Sequence, residues 1–286
     1  MVDTDQAFLY LEKLDKFIIS DSYSFYRFLI ENRLTLNIVN SNFQELVKIV
    51  NHHNSPELEE RLWNIANPTF RWKMQRKIIR ALSNYLNSLF STVDYSRNNI
   101  EKFIAKNQII LNEFNKKKNI QFSENPIHRF IQDLRNYTSH NTFIKIGSER
   151  SLNIEWDEPR RNVFVRKNEL EWKQWNSFSK LFLNSQTDKI YLIDILKQHY
   201  EHFSSFQNWT YLMLFETDKT ITTTFINEIN QIFQDAKNVK MLHTLPFRQS
   251  YLKYILSLTY KAKTLYRGFE NSKALACEGG QRKKIN

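Results

Sequence analysis

The segment PIHRFIQDLRNYTSH, residues Pro126 to His140, decides the fold, because its apolar residues recur at helical spacing. On an α-helix four of its side chains share one arc that should face a core: Phe130, Ile131, Leu134 and Tyr137. Ser123-Glu124-Asn125 precede the proline, and a capping side chain before proline is typical of a helix start. The sequence therefore predicts an amphipathic helix that begins near Pro126 and ends near Ser139 and His140.

The other side of this helix is polar and is expected to face solvent. It carries His128, Arg129, Gln132, Asp133 and Asn136, with Arg135 on one flank and His140 on the other. Asn136 and His140 are four residues apart and should be neighbours. Arg135 and His140 are separated by about 140° on an ideal helix. They can cooperate only if the backbone turns at the helix end, or if a two-fold related copy supplies the second group.

Helical spacing continues on both sides of this segment, and the chain has only four glycines and five prolines. The fold class predicted is all-α with a short β-hairpin excursion at about residues 142–166, where the apolar residues alternate. A helical N-terminal region at 1–71, a main helical domain at 72–215, and a C-terminal helical region with a flexible tail at 216–286 are expected. The further helices predicted span 72–106, 108–117, 170–183, 190–215, 220–236 and 246–266.

Composition limits the partners and the compartment. The 41 Lys and Arg exceed the 30 Asp and Glu, for a formal net charge of +11, which favours a polyanion but also fits a generally basic protein. Cys277 is the only cysteine, so an intramolecular disulfide is excluded. The acidic start and the lack of a long uncharged apolar run predict a cytoplasmic protein without a membrane partner.

The stretch from Leu134 to His140 resembles the signature of the HEPN superfamily, helical domains of prokaryotic defence systems, toxin–antitoxin pairs and RNA-processing nucleases. That signature is an arginine, a polar residue, a few variable residues and a histidine, which Arg135, Asn136 and His140 match in order and spacing. The resemblance covers roughly residues 72–215. Thr142 departs from one subfamily, in which a tyrosine two residues beyond the histidine is modified by an antitoxin.

The resemblance implies a HEPN-type helical bundle and a metal-independent endoribonuclease, with a composite active site in a homodimer. Arg135, Asn136 and His140 would be the catalytic residues. A histidine titrates near pH ~6.5 and can exchange protons with a ribose 2′-hydroxyl or a leaving 5′-oxygen. Arg135 would hold the scissile phosphate and Asn136 would orient His140 or the phosphate. No metal and no cofactor is expected, and an antitoxin or sensor subunit is a further candidate partner.

Several polar residues are weaker candidates. His128, Arg129 and the run Lys116-Lys117-Lys118 could contact an RNA backbone, although short basic runs are usually solvated. His199 and His202 do not reproduce a zinc motif, and an exposed polar helix face is the expected environment for both. The alternative to an enzyme is a non-catalytic helical module that binds RNA or a protein partner.

Overall fold

The computed structural model describes residues 4–64, 66, 68–105, 107–140, 144–151, 160–217, 223–225, 227–228 and 230–232. Over these residues the protein is mainly helical, with a small antiparallel sheet. This confirms the mainly α-helical class predicted from the sequence. The helix predicted at 246–266 lies outside the described residues, and the one predicted at 220–236 lies outside them in part.

The main α-helices are numbered in chain order. They are α1 (Thr4–Ile18), α2 (Asp21–His53), α3 (Glu59–Trp63), α4 (Thr69–Ile104), α5 (Gln108–Lys118), α6 (Pro126–His140), α7 (Ser177–Ser185) and α8 (Leu192–Thr217). The long helix predicted from residue 72 to 106 and the helix predicted from 108 to 117 are confirmed as α4 and α5. The chain divides into two compact units, residues 31–210 and residues 1–30 with 211–286. The limits predicted at 71 and 215 stay predictions.

The sheet has three strands, β1 (Gly147–Ser151), β2 (Arg160–Arg166) and β3 (Lys189–Ile190), in the order β1-β2-β3 with antiparallel pairing. The predicted hairpin is therefore present, with a third short strand added after α7. Gly147 is the first residue of β1 and lies opposite Phe164. A Cβ at Gly147 would lie 2.6 Å from the ring Cζ of Phe164, so this close approach favours glycine.

α6 lies at the centre of the larger unit, and all four side chains of its predicted apolar arc are at most 2% exposed. They pack into one core with the buried face of α4, which comprises Ile78, Ala81, Leu82, Tyr85, Leu86, Leu89 and Phe90. The Asn125 side chain accepts hydrogen bonds from the backbone amides of Ile127 and His128, as the predicted helix start requires. The amphipathic prediction for α6 is thus confirmed on its apolar side.

Two residues expected on the solvent face of α6 are buried. Asp133 is 7% exposed, and its Oδ2 accepts from the Asn176 backbone amide and the Ser179 hydroxyl, both at 2.7 Å. This carboxylate therefore joins α6 to the start of α7. His128 is 5% exposed and faces α8. The helical wheel gave the wrong environment for both, because it does not contain the helices that cover this side.

The helix predicted from Leu170 begins only at Ser177. The residues between them form an irregular segment, in which the Trp175 indole N–H donates to the Leu170 carbonyl at 2.8 Å. Asn176 then caps α7 by accepting from the Phe178 amide. Trp175 therefore stabilises a loop rather than a helix.

Among the residues that the structure describes, none of the helices combines the length and the apolar character needed to cross a bilayer.

Candidate functional site

A cleft of about 410 Å³ runs beside α6 and contains Arg135 and Asn136. We call it the α6 cleft. Its wall is completed by α4, α5, the π-helical segment Asn119–Ser123, and α8. The apolar part of its lining is formed by Phe90, Val93, Ile100, Phe114, Phe122, Phe203 and Phe206. The polar part is formed by Asp94, Ser96, Arg97, Lys118, Asn119, Ser123, His128, Arg129, Gln132, Arg135, Asn136 and Gln207.

Arg135 is half-buried and is held from two sides. Its Nε donates to Asn87 Oδ1 at 3.4 Å, and its Nη1 donates to Asn136 Oδ1 at 3.2 Å. Both partners are neutral amides, so the guanidinium is oriented without its charge being cancelled. Within the described part of the chain no residue accepts from the Asn136 amide nitrogen. The adjacent arginine and asparagine therefore present N–H donors to one cleft.

The charge of the α6 cleft is positive. Four cationic side chains line it against one carboxylate, that of Asp94. Asp94 pairs with Arg97 at 3.4 Å, and Lys118 pairs with Glu101 at 3.0 Å. The remaining two cations, Arg129 and Arg135, have no carboxylate partner among the described residues.

Arg129 lies about two turns of α6 before Asn136. Its Nη1 donates to Gln132 Oε1 at 2.7 Å, while its buried Nε has no hydrogen-bond partner within the described residues. An unpaired buried N–H costs free energy unless a ligand or water accepts from it. The cleft thus carries two uncompensated guanidinium groups on one helix. This arrangement fits an anion with several acceptor oxygens, such as a phosphodiester.

The two buried histidines beside the cleft form a direct pair. His128 Nδ1 and His199 Nε2 are 2.8 Å apart, and the rings are stacked with centroids 5.1 Å apart. Burial lowers the pKa of His128 to about 3, with a further contribution from the Arg129 charge. Burial also lowers the pKa of His199 well below its usual value, helped by His128 and His202. Both rings are therefore neutral near pH 7, and neither supplies positive charge for RNA.

The environment predicted for His199 was wrong, because it is 2% exposed rather than on a polar helix face. His202 is exposed, as predicted. No group of three His, Cys, Asp or Glu side chains among the described residues is placed to hold a metal ion.

The three lysines of the predicted basic run are the last residues of α5, and they lie in different environments. Lys118 lines the α6 cleft. Lys117 lies over the Trp209 ring, with Nζ 4.0 Å from the centroid, and burial lowers its pKa. Lys116 is exposed and lies outside the cleft lining. The structure thus brings one of the three lysines together with Arg129, Arg135 and Asn136.

His140 is the last residue of α6, as the sequence predicts. Its side chain lies outside the described residues, and so does Thr142.

Three residues at the site were not predicted from the sequence to belong to it: Asn87, Arg97 and Gln132. A signal was present for Arg97, because Phe90, Val93, Asp94 and Arg97 follow an i, i+3, i+4, i+7 spacing along α4. That spacing marks a common face, and this face lines the α6 cleft. Which helix lies across from it is a tertiary property that the spacing does not contain.

Comparison of the chain with models of protein families, with curated proteins and with solved structures finds no match.

Proposed function

We propose that the chain is a metal-independent endoribonuclease of HEPN type that cleaves RNA at the α6 cleft. One observation carries the proposal. Arg129 and Arg135 lie on the same helix, line a cleft that is partly apolar, and have no carboxylate partner among the described residues. A phosphodiester would supply the missing negative charge, and the apolar lining would accept a base or ribose. The biological role proposed is that of a phage-defence or toxin effector, restrained by an antitoxin or sensor subunit.

The proposed reaction is transesterification by the ribose 2′-hydroxyl. His140 takes the proton of that hydroxyl, the 2′-oxygen forms a bond to phosphorus, and the bond from phosphorus to the 5′-oxygen breaks. The leaving 5′-oxygen receives a proton from the partner's His140 in the homodimer. Arg135 neutralises the charge that develops on the non-bridging oxygens, and Asn136 positions Arg135 through the hydrogen bond between them. The products would carry a 2′,3′-cyclic phosphate and a 5′-hydroxyl.

The second candidate is a non-catalytic module that binds RNA or an acidic partner through the same cleft. The excess of cations over carboxylates in the lining favours it as much as it favours an enzyme. The two functions differ in their dependence on His140, because binding to phosphates does not need a group that exchanges protons near pH 7.

The experiment is incubation of the purified dimer with a set of structured and unstructured RNAs in EDTA, next to the His140→Ala variant. We expect cleavage by the native protein and none by the variant, while both bind RNA with the same affinity. His140 ends α6 outside the apolar arc, so circular dichroism and elution volume should be unchanged. Salt-sensitive binding by both proteins with no cleavage by either would overturn the nuclease and leave the binding module.

A further inference from the structure

A second basic surface lies on α4, away from the lining of the α6 cleft. Lys73, Arg76, Lys77 and Arg80 follow an i, i+3, i+4, i+7 spacing, and all four side chains are exposed. We call them the α4 basic stripe. Together these four side chains line a shallow depression of about 480 Å³, to which no other residue contributes among those described.

The charge of the stripe is not balanced locally. None of its four side chains has a hydrogen bond or an ion pair with another described residue. From Thr69 to Val93, α4 contains five basic residues and no acidic residue; the first carboxylate along this helix is Asp94. Mutual repulsion of like charges at i, i+3 and i+4 is unfavourable in the free protein. A bound polyanion would remove that repulsion.

The stripe continues toward the α6 cleft along the same helix face. Arg80 and Asn87 are seven residues apart, so they differ by only about 20° in direction and by about 10 Å along the axis. Asn87 is exposed, and its Oδ1 accepts from Arg135 Nε at 3.4 Å. One exposed face of α4 therefore extends about 21 Å along the helix axis, from Lys73 to Asn87, which contacts Arg135 of the cleft.

We infer that the α4 basic stripe binds the phosphates of the RNA strand that continues out of the α6 cleft. The inference rests on the proposed function, because it takes RNA as the ligand, and it adds that the substrate extends beyond the cleaved linkage. Sequence-independent contacts of lysine and arginine with phosphates hold such a strand in register without selecting bases. RNAs too short to reach from Arg135 to the stripe bind through the cleft alone.

The test compares two triple variants. The stripe variant is Arg76→Gln, Lys77→Gln, Arg80→Gln. The control variant loses the same charge elsewhere and is Lys173→Gln, Lys180→Gln, Lys197→Gln. The three control lysines are exposed and lie outside both the stripe and the cleft lining. Binding is measured in the His140→Ala background with EDTA, so that cleavage does not enter the readout. The ligands are a single-stranded RNA of roughly twenty nucleotides and a dinucleotide, whose single phosphodiester cannot occupy the cleft and the stripe at once.

We expect the stripe variant to bind the long RNA at least about ten-fold more weakly. The dependence of its association constant on salt should also be shallower, with the magnitude of the slope of log K against log salt reduced by about 2. The short RNA should bind the stripe variant and the parent equally. The control variant should change the long-RNA affinity by much less. The inference is overturned if the stripe and control variants weaken long-RNA binding equally, or if the stripe variant binds it like the parent.

A second ligand tests a different class of polyanion. Vesicles of phosphatidylserine and phosphatidylcholine are offered to the same proteins. Loss of vesicle binding in the stripe variant with full retention of long-RNA binding would assign the stripe to an anionic membrane and overturn the inference. If the stripe variant loses RNA binding but the native protein never cleaves RNA, the nuclease proposal fails and the assignment of the stripe stands.

Discussion

Replacement of Arg135 by alanine is expected to lower the single-turnover rate of RNA cleavage by about 10²- to 10³-fold, the usual cost of removing one preorganised donor to a developing oxyanion. The fold should survive, because the contacts of this side chain are with the neutral amides of Asn87 and Asn136 at the cleft surface. The neighbouring Leu134 is fully buried and would not tolerate the same change. Rates are measured with saturating protein and EDTA.

Two control variants separate the specific role of Arg135 from the effect of losing any positive charge in the cleft. Arg135→Lys keeps the positive charge but loses the fork of donors, so it should recover RNA binding and little of the rate. Arg97→Ala removes another cation of the cleft, one already paired with Asp94, and should weaken binding while the bound rate changes little. A rate for Arg135→Ala within a few-fold of the native rate would contradict the role given to this arginine.

Acidification is expected to destabilise the protein through the buried pair His128 and His199. The pKa of both lies below the usual value of about 6.5 because of burial. Between pH ~6.5 and the lowered pKa, the unfolded chain therefore binds protons that the folded protein does not. The free energy of unfolding is unaffected by the pair above this window and falls as pH decreases through it. For His128, with its pKa at about 3, the loss at pH ~5 is about 2 kcal/mol.

The measurement is urea unfolding at about pH 7.5 and pH 5 for the native protein and for His128→Leu, His199→Leu. The double variant cannot take up these protons, so its loss of stability on acidification should be smaller by about 2 kcal/mol or more. His202→Gln is the matched control, since His202 lies on the same helix but is exposed. The account of the pair fails if the double variant and the native protein lose the same free energy on acidification.

The sequence was most informative where a helix buries one regular stripe. α4 and α6 could be predicted because their buried residues repeat at three and four positions over many turns, and Asn125 before Pro126 marks the start of α6. It was least informative where side chains bond to irregular backbone. Trp172 and Trp175 are three residues apart, a spacing that suits a helix, yet the indole of Trp175 donates to the carbonyl of Leu170 within a loop.

For the candidate site, the sequence predicted which residues of α6 could meet a ligand but not what surrounds them. Arg129, Arg135 and Asn136 do line a common cleft. Asp133 and His128 belong to the same polar face by periodicity, yet they are buried by contacts with α7 and α8. Periodicity reports how side chains are arranged around one helix, whereas burial depends on neighbours that are distant in sequence. Asn87 and Arg97 are site residues because α4 packs beside α6, and this packing is likewise not visible in the spacing of either helix.

The most direct test of the nuclease is single-turnover cleavage in EDTA of one RNA and of the same RNA with a 2′-deoxy nucleotide immediately 5′ of the mapped cut. If the cleft promotes attack by the 2′-hydroxyl, the all-RNA strand yields a 2′,3′-cyclic phosphate and the deoxy strand is uncut at that position. Equal cleavage of both strands, or cleavage that appears only when Mg²⁺ is added, would contradict the account.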